Sequence, residues 1–156
     1  MGKIRLARVD DRLIHGQVMT SWLQYTGARH IVIIDDETAN DDFTKTIIGM
    51  AVPNGIRLDV FTIAEATDYL LANEYNDLIL LVKSPMTFLQ LIERGVVLEE
   101  IIVGGMGANA ERKTFYKNIS ASENEKMVLQ KLIETGVEVR IQVIPDQKSV
   151  LVKNLL

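Results

Sequence analysis

A chain of 156 residues can bury roughly two-thirds of its unfolded surface, enough for one packed domain across residues 1–156 with no staple. A hydrophobic fraction of 47% with 24% charged residues excludes a disordered or low-complexity chain, and the absence of cysteine excludes disulfides, thiolate nucleophiles and cysteine-ligated metals. A formal net charge of −4 argues against a dedicated nucleic-acid binder.

In chain order, Met1-Gly2-Lys3-Ile4-Arg5 leads into an apolar, β-branched run and not into a signal peptide, and no apolar stretch approaches the roughly 20 residues of a membrane-spanning helix. A cytosolic location is expected. The pattern predicts a strand over 4–9, a helix over 16–26 closed by Gly27, a strand over 30–34 and a helix over 41–50. A strand over 57–61 follows, then a helix over 63–73 opened by the capping box of Thr62 and Glu65, and a strand over 78–82. Ser84-Pro85 starts a helix over 85–94 ended by Gly95, and strands are expected over 101–103 and 117–121. Ser122 and Glu125 form a second capping box for a helix over 123–135, ended by Gly136. Val137, Val139, Ile141 and Val143 alternate with Glu138, Arg140 and Gln142, so a strand over 137–143 buries one face and lies toward a sheet edge; a short helix is expected near 146–151. The alternation predicts an α/β fold with a mostly parallel central sheet of about seven strands flanked by about six helices. Met50, Met86 and Met127 are read as helical core residues.

In an open α/β sheet, functional groups gather where strands end and the following helices begin. The first such junction reads Arg8-Val9-Asp10-Asp11-Arg12-Leu13-Ile14-His15-Gly16-Gln17-Val18, and it precedes an amphipathic helix carrying Trp22 and Leu23. A phosphorylated imidazole needs an exposed ring nitrogen, a cationic partner for the added charge and an anchor for its tautomer. His15 stands where free helix amides and the positive end of the dipole face an anion. Arg12 offers a bidentate donor for phosphate oxygens, Arg8 adds positive field, and Asp10 either accepts a hydrogen bond from His15 or orients Arg12. Gly16 leaves the attacking face uncrowded, with Gln17 beside it as a supporting residue. A histidine at such a turn is often only a capping or packing residue, so the junction alone leaves both readings open. His30, after the Gly27-Ala28-Arg29 turn, is read as a surface or strand-end residue.

The stretch from Arg8 to Val18 closely resembles the active-site segment of IIB subunits in the mannose/fructose/sorbose (sorbose-type) family of the phosphoenolpyruvate-dependent sugar phosphotransferase system. The resemblance continues through Trp22, Ile33-Ile34-Asp35-Asp36, Lys83-Ser84-Pro85 and Val103-Gly104-Gly105-Met106, so it covers essentially the whole chain. It implies that His15 receives a phosphoryl group on Nδ1 from a IIA domain or subunit. The group then passes to a sugar brought through the membrane by IIC and IID partners, a phosphohistidine–sugar phosphotransferase activity peripheral to the membrane. The scheme requires no metal or other cofactor, since in-line transfer rests on positioning, charge stabilisation and a neutral imidazole nucleophile. Arg5, Arg8 and Arg12 are expected to form a positive docking face for an acidic IIA. The sugar (mannose, fructose, sorbose, glucose or N-acetylgalactosamine) and homo-oligomerisation stay open.

Other features carry two readings each. Asp35 and Asp36 either bind a metal or hold the arginines of the site, the second being preferred. Lys83 and Ser84 either contribute to phosphate binding or form an ordinary helix start. Gly104-Gly105-Met106-Gly107 lacks the spacing of a dinucleotide fingerprint or a P-loop and is expected to mark a tight turn with close backbone approach. A metal-dependent receiver-like signalling domain would explain Asp10-Asp11, but it needs an aspartate where the third strand ends in Phe61-Thr62, and it gives His15 no role. A non-enzymatic binding module would take no phosphate on His15.

Overall fold

The computed structural model describes residues 2–156. Short apolar runs and capped helical segments alternate along it. β1 (Ile4–Asp10) leads to α1 (Gly16–Thr26), β2 (His30–Ile34), a one-turn α2 (Asp36–Ala39), α3 (Asp42–Ala51) and β3 (Arg57–Phe61). Then come α4 (Ile63–Ala72), β4 (Leu78–Val82), α5 (Pro85–Glu93) and β5 (Glu100–Gly105). β6 (Lys113–Tyr116) and β7 (Ile119–Ala121) form a separate antiparallel pair before α6 (Glu123–Glu134), β8 (Glu138–Ile141), β9 (Val150–Leu151) and a 3-10 turn at Val152–Asn154. Among the described residues the main sheet has seven strands in the order β3-β2-β4-β1-β5-β8-β9, and every neighbouring pair is parallel except β8–β9.

The unbroken apolar runs of β2 and β4 are buried at every residue, as interior parallel strands covered on both faces must be. The pleat sorts their side chains between two cores. Ala7, Val9, Val32, Ile34, Leu80 and Val82 pack with residues of α4, α5 and α6, whereas Leu6, Ile31, Ile33, Ile79 and Leu81 pack with Met19, Trp22 and Leu23 of α1. By the same alternation Arg8 and Asp10 of β1 face the α1 side. Both predicted capping boxes form, and Gly27, Gly95 and Gly136 are left-handed. No helix among the described residues is long and apolar enough to cross a membrane.

The structure corrects several expectations. The strand over 117–121 is one arm of the β6–β7 hairpin, with Lys117 in the turn at φ 50°. Residues 146–151 form no helix, and the short helical turn of this region is the 3-10 segment at Val152–Asn154. The Gln142 amide instead donates to the carbonyls of Pro145 and Gln147, and Val143 N donates to the Gln147 side chain, which folds the chain back so that β9 meets β8 antiparallel. Met50 and Met127 are 81% and 61% exposed, on helix faces turned away from the sheet, while Met86 packs partly buried on the larger core. α3 buries none of its residues.

Candidate active site

β1 lies inside the sheet between β4 and β5, so its carboxyl end opens onto the middle of one sheet edge. The link from Asp10 to α1 is tight: Asp11 N donates to Gly105 O at 3.0 Å and Leu13 N to Asp10 O at 2.9 Å. Leu13 and Gly16 take left-handed backbone at φ 57° and 49°, and Leu13 is anchored by burying its side chain in the smaller core. A Cβ on Gly16 would meet no atom within 4 Å, so the backbone angle, and not crowding, calls for glycine there.

Asp10 is fully buried and gathers five donor atoms from three residues. Its Oδ2 accepts from His15 Nε2 at 2.7 Å, Arg8 Nη2 at 3.2 Å and, at the long limit, Arg12 Nη2 at 3.5 Å; its Oδ1 accepts from Arg12 N at 3.0 Å and Arg12 Nε at 3.2 Å. Burial pushes this carboxyl up, but the bonds from His15 and Arg12 and the charge of Arg8 outweigh it, so the carboxyl lies below its ordinary value and stays ionised. An ionised carboxylate can only accept. In the neutral ring Nε2 therefore carries the proton and Nδ1 the lone pair.

His15 is the N-cap of α1, makes no capping bond with its side chain and is 24% exposed there. The first turn of α1 contains no acidic residue, and the amides of Gly16, Gln17 and Val18 have no partner within the helix, so an anion beside His15 meets free donors. Gln17 is exposed in that turn, and the Arg12 side chain is 54% exposed at the mouth of the site.

Arg8 is a different group from the one expected. It is 0% exposed, lies beneath the Trp22 ring at 5.5 Å and donates from Nη1 to Gln142 O at 3.0 Å, while its Nε has no partner. Burial lowers its pKa against the opposing pull of Asp10. Arg8 is thus the buried counter-ion of Asp10 and adds nothing to a docking face. Arg5 is absent from the site as well: it lies near the amino end of β1, paired with Asp77 at 2.7 Å. Of the three arginines only Arg12 is at the mouth. The glycine pair is explained by contact and not by a turn. A Cβ on Gly104 would fall 2.0–2.2 Å from the Arg8 guanidinium, and one on Gly105 would fall 2.5 Å from Asp10 Oδ1.

Asp35, Lys83 and Ser84 lie where β2 and β4 end, forming a second cluster. Asp35 caps α2, accepting from Thr38 N and Oγ1, and pairs with Lys83 Nζ at 3.3 Å. Asp36 accepts from Ile63 N at 2.8 Å, so the two carboxylates serve separate partners and neither holds an arginine. Ser84 caps α5, accepting from Met86 N. Among the described residues no hydrogen bond or ion pair joins this cluster to Asp10, Arg12 or His15. His30 begins β2 as expected but is buried, with Nε2 at 2.7 Å from Asp59 Oδ2. Sequence reasoning missed Arg112, which reaches Asp11 from the loop before β6 and pairs with Glu125 of α6. The only local signal was Glu125 itself, legible as a helix cap.

Residues 4–156 match the family model described as the PTS system sorbose subfamily IIB component. The chain is 30% identical over 151 residues to a PTS system fructose-specific EIIB component of Bacillus subtilis, covering 96% of this chain and 93% of that protein. It is 30% identical over 160 residues to the mannose-specific EIIAB component of Escherichia coli, covering 98% of this chain and 48% of that longer protein. The crystal structure of the IIBSor domain of the sorbose permease from Klebsiella pneumoniae superposes with a TM-score of 0.92 at 29% identity, over 99% of this chain and 95% of that one. The chain belongs to the sorbose-subfamily IIB components of the sugar phosphotransferase system.

Proposed function

We propose that the whole chain works as one IIB domain and carries a phosphoryl group on His15 Nδ1 between a phosphorylated IIA and a sugar. The observation that carries this reading is the 2.7 Å bond from His15 Nε2 to the buried carboxylate of Asp10, which leaves Nδ1 as the nucleophilic nitrogen of an accessible imidazole. The Nδ1 lone pair attacks phosphorus on the IIA phosphohistidine, and the P–N bond to the donor breaks with its electron pair returning to the donor ring. The His15 ring then carries positive charge beside Asp10, and the phosphoryl oxygens meet the α1 amides and Arg12. In the second transfer a sugar hydroxyl oxygen attacks phosphorus, the P–Nδ1 bond breaks with its pair remaining on His15, and the hydroxyl proton leaves to solvent.

Relatives in the same family are named for fructose, mannose and sorbose, which fits a common carrier step; in this reading the choice of sugar belongs to membrane IIC and IID partners. The mannose-specific relative bears an A and a B component under one name, which fits a IIA domain as the donor. Incubation with phosphoenolpyruvate, enzyme I, HPr and a cognate IIA, followed by intact mass and acid treatment, tests the reading. One acid-labile phosphate is expected on the parent and none on His15→Ala. An unmodified parent beside fully phosphorylated IIA overturns the carrier role and leaves a binding module.

A further inference from the structure

We infer that Arg112 is a positioning residue of this site: it holds the Asp11 carboxylate so that the neighbouring Arg12 stays available to the phosphoryl group. The inference rests on the carrier reading of His15. A guanidinium has about five N–H donors, and four of those on Arg112 are engaged. Nε and Nη2 grip the two oxygens of Glu125 at 2.8 Å each, and Nη1 donates to Asp11 Oδ2 at 2.8 Å and to Gly107 O at 3.3 Å. With only 11% of its side chain exposed, Arg112 is a spent donor and not a phosphate ligand. Its anchor is rigid, because Glu125 also accepts from Ser122 N at 3.1 Å at the start of α6.

What the clamp does for the site follows from Asp11. This carboxylate is adjacent in sequence to Arg12, is 29% exposed, and takes both its bonds on Oδ2, from Arg112 and from Gly107 N at 2.8 Å. Arg12 is held along its Nε–Nη2 edge by Asp10, and its side chain is 54% exposed. Without Arg112, the charge on Asp11 has lost its cation and competes for Arg12. It also adds negative potential where a dianionic group must arrive.

Single-turnover transfer from phosphorylated IIA tests this on the parent, Arg112→Gln, Asp11→Asn and the double variant. Arg112→Gln is expected to slow transfer on the order of tenfold. Asp11→Asn in that background is expected to restore most of the loss, because it deletes the competing charge; a role confined to holding the fold would show no such rescue. Equal rates for the parent and Arg112→Gln overturn the inference, and so does a double variant no faster than Arg112→Gln. A parent that takes no phosphate overturns the carrier reading and this one with it. Should the unpaired Glu125 unfold Arg112→Gln, the same Asp11→Asn comparison is made in Arg112→Gln/Glu125→Gln, where both charges of that pair are gone.

Discussion

Asp10 bonds His15 and pairs with Arg8 through one oxygen, Oδ2, and its charge and its shape can be separated by substitution. Asp10→Asn keeps the volume and removes the charge. Arg8, 0% exposed, is then left in the interior without a counter-ion, a situation that costs roughly 3–5 kcal/mol when one partner of a buried pair is removed. A lower urea midpoint with an unchanged slope is expected. Transfer to His15 should fall more steeply than stability does, on the order of a hundredfold or more, because a neutral amide neither fixes the Nε2–H tautomer nor stabilises the charged phosphorylated ring. A variant that keeps the parent's transfer rate would remove Asp10 from the site. The sequence made Asp10 and His15 readable as partners because they share one turn. It misplaced Arg8, whose burial depends on Trp22, Gln142 and Gly104, all remote from it in sequence.

Among the elements, β5 matters to the site through what it lacks. The two glycines at its end let the backbone pass against Arg8 and Asp10, so β1 can carry two charged side chains on a covered face. Gly104→Ala places a methyl about 2.0 Å from Arg8 Cζ, inside any real contact, and the backbone of β5 cannot yield without disturbing its ladders to β1 and β8. The guanidinium must shift, giving up Gln142 O or Asp10. A destabilisation of at least about 1–3 kcal/mol is expected by denaturant unfolding, with slower transfer to His15, and parental stability would show that the contact relaxes freely. Element ends were legible wherever the cap lies within one turn, as at Thr62 with Glu65 and Ser122 with Glu125. The hairpin was not. Its first arm, with exposed Lys113 and Thr114, carries no apolar alternation and exists because β7 pairs with it.

Over the whole molecule, the fold was readable because interior parallel strands are written as unbroken apolar runs, while half of the site was hidden because it is assembled from distant chain. The segment from Arg8 to Val18 announces itself, whereas Gln142, Gly104 and the Arg112–Glu125 pair reach it only through the sheet order that places β5 and β8 beside β1. That assembly also fixes how stability responds to acid. Asp10 and Glu125 are both buried, and desolvation raises each; His15, Arg12 and Arg8 more than offset this for Asp10, and Arg112 and Ser122 do so for Glu125. Asp35 is likewise held low, where burial is outweighed by Thr38 and Lys83. Each group binds its proton less readily folded than unfolded, so its stabilisation is complete above the unfolded value of about pH 4 and is lost as pH falls through the lower folded value. Glu100 moves the opposite way, raised by burial and by Glu138, but its side chain is 48% exposed and its weight is small. Urea midpoints should therefore change little between pH 7 and pH 5 on account of these carboxylates and fall steeply below about pH 4. In Asp10→Asn the acid-side fall should be shallower, since the group with the most donors no longer titrates. Equal slopes for the variant and the parent would mean that the fully buried carboxylate of the site contributes nothing to acid stability, contrary to its five bonds.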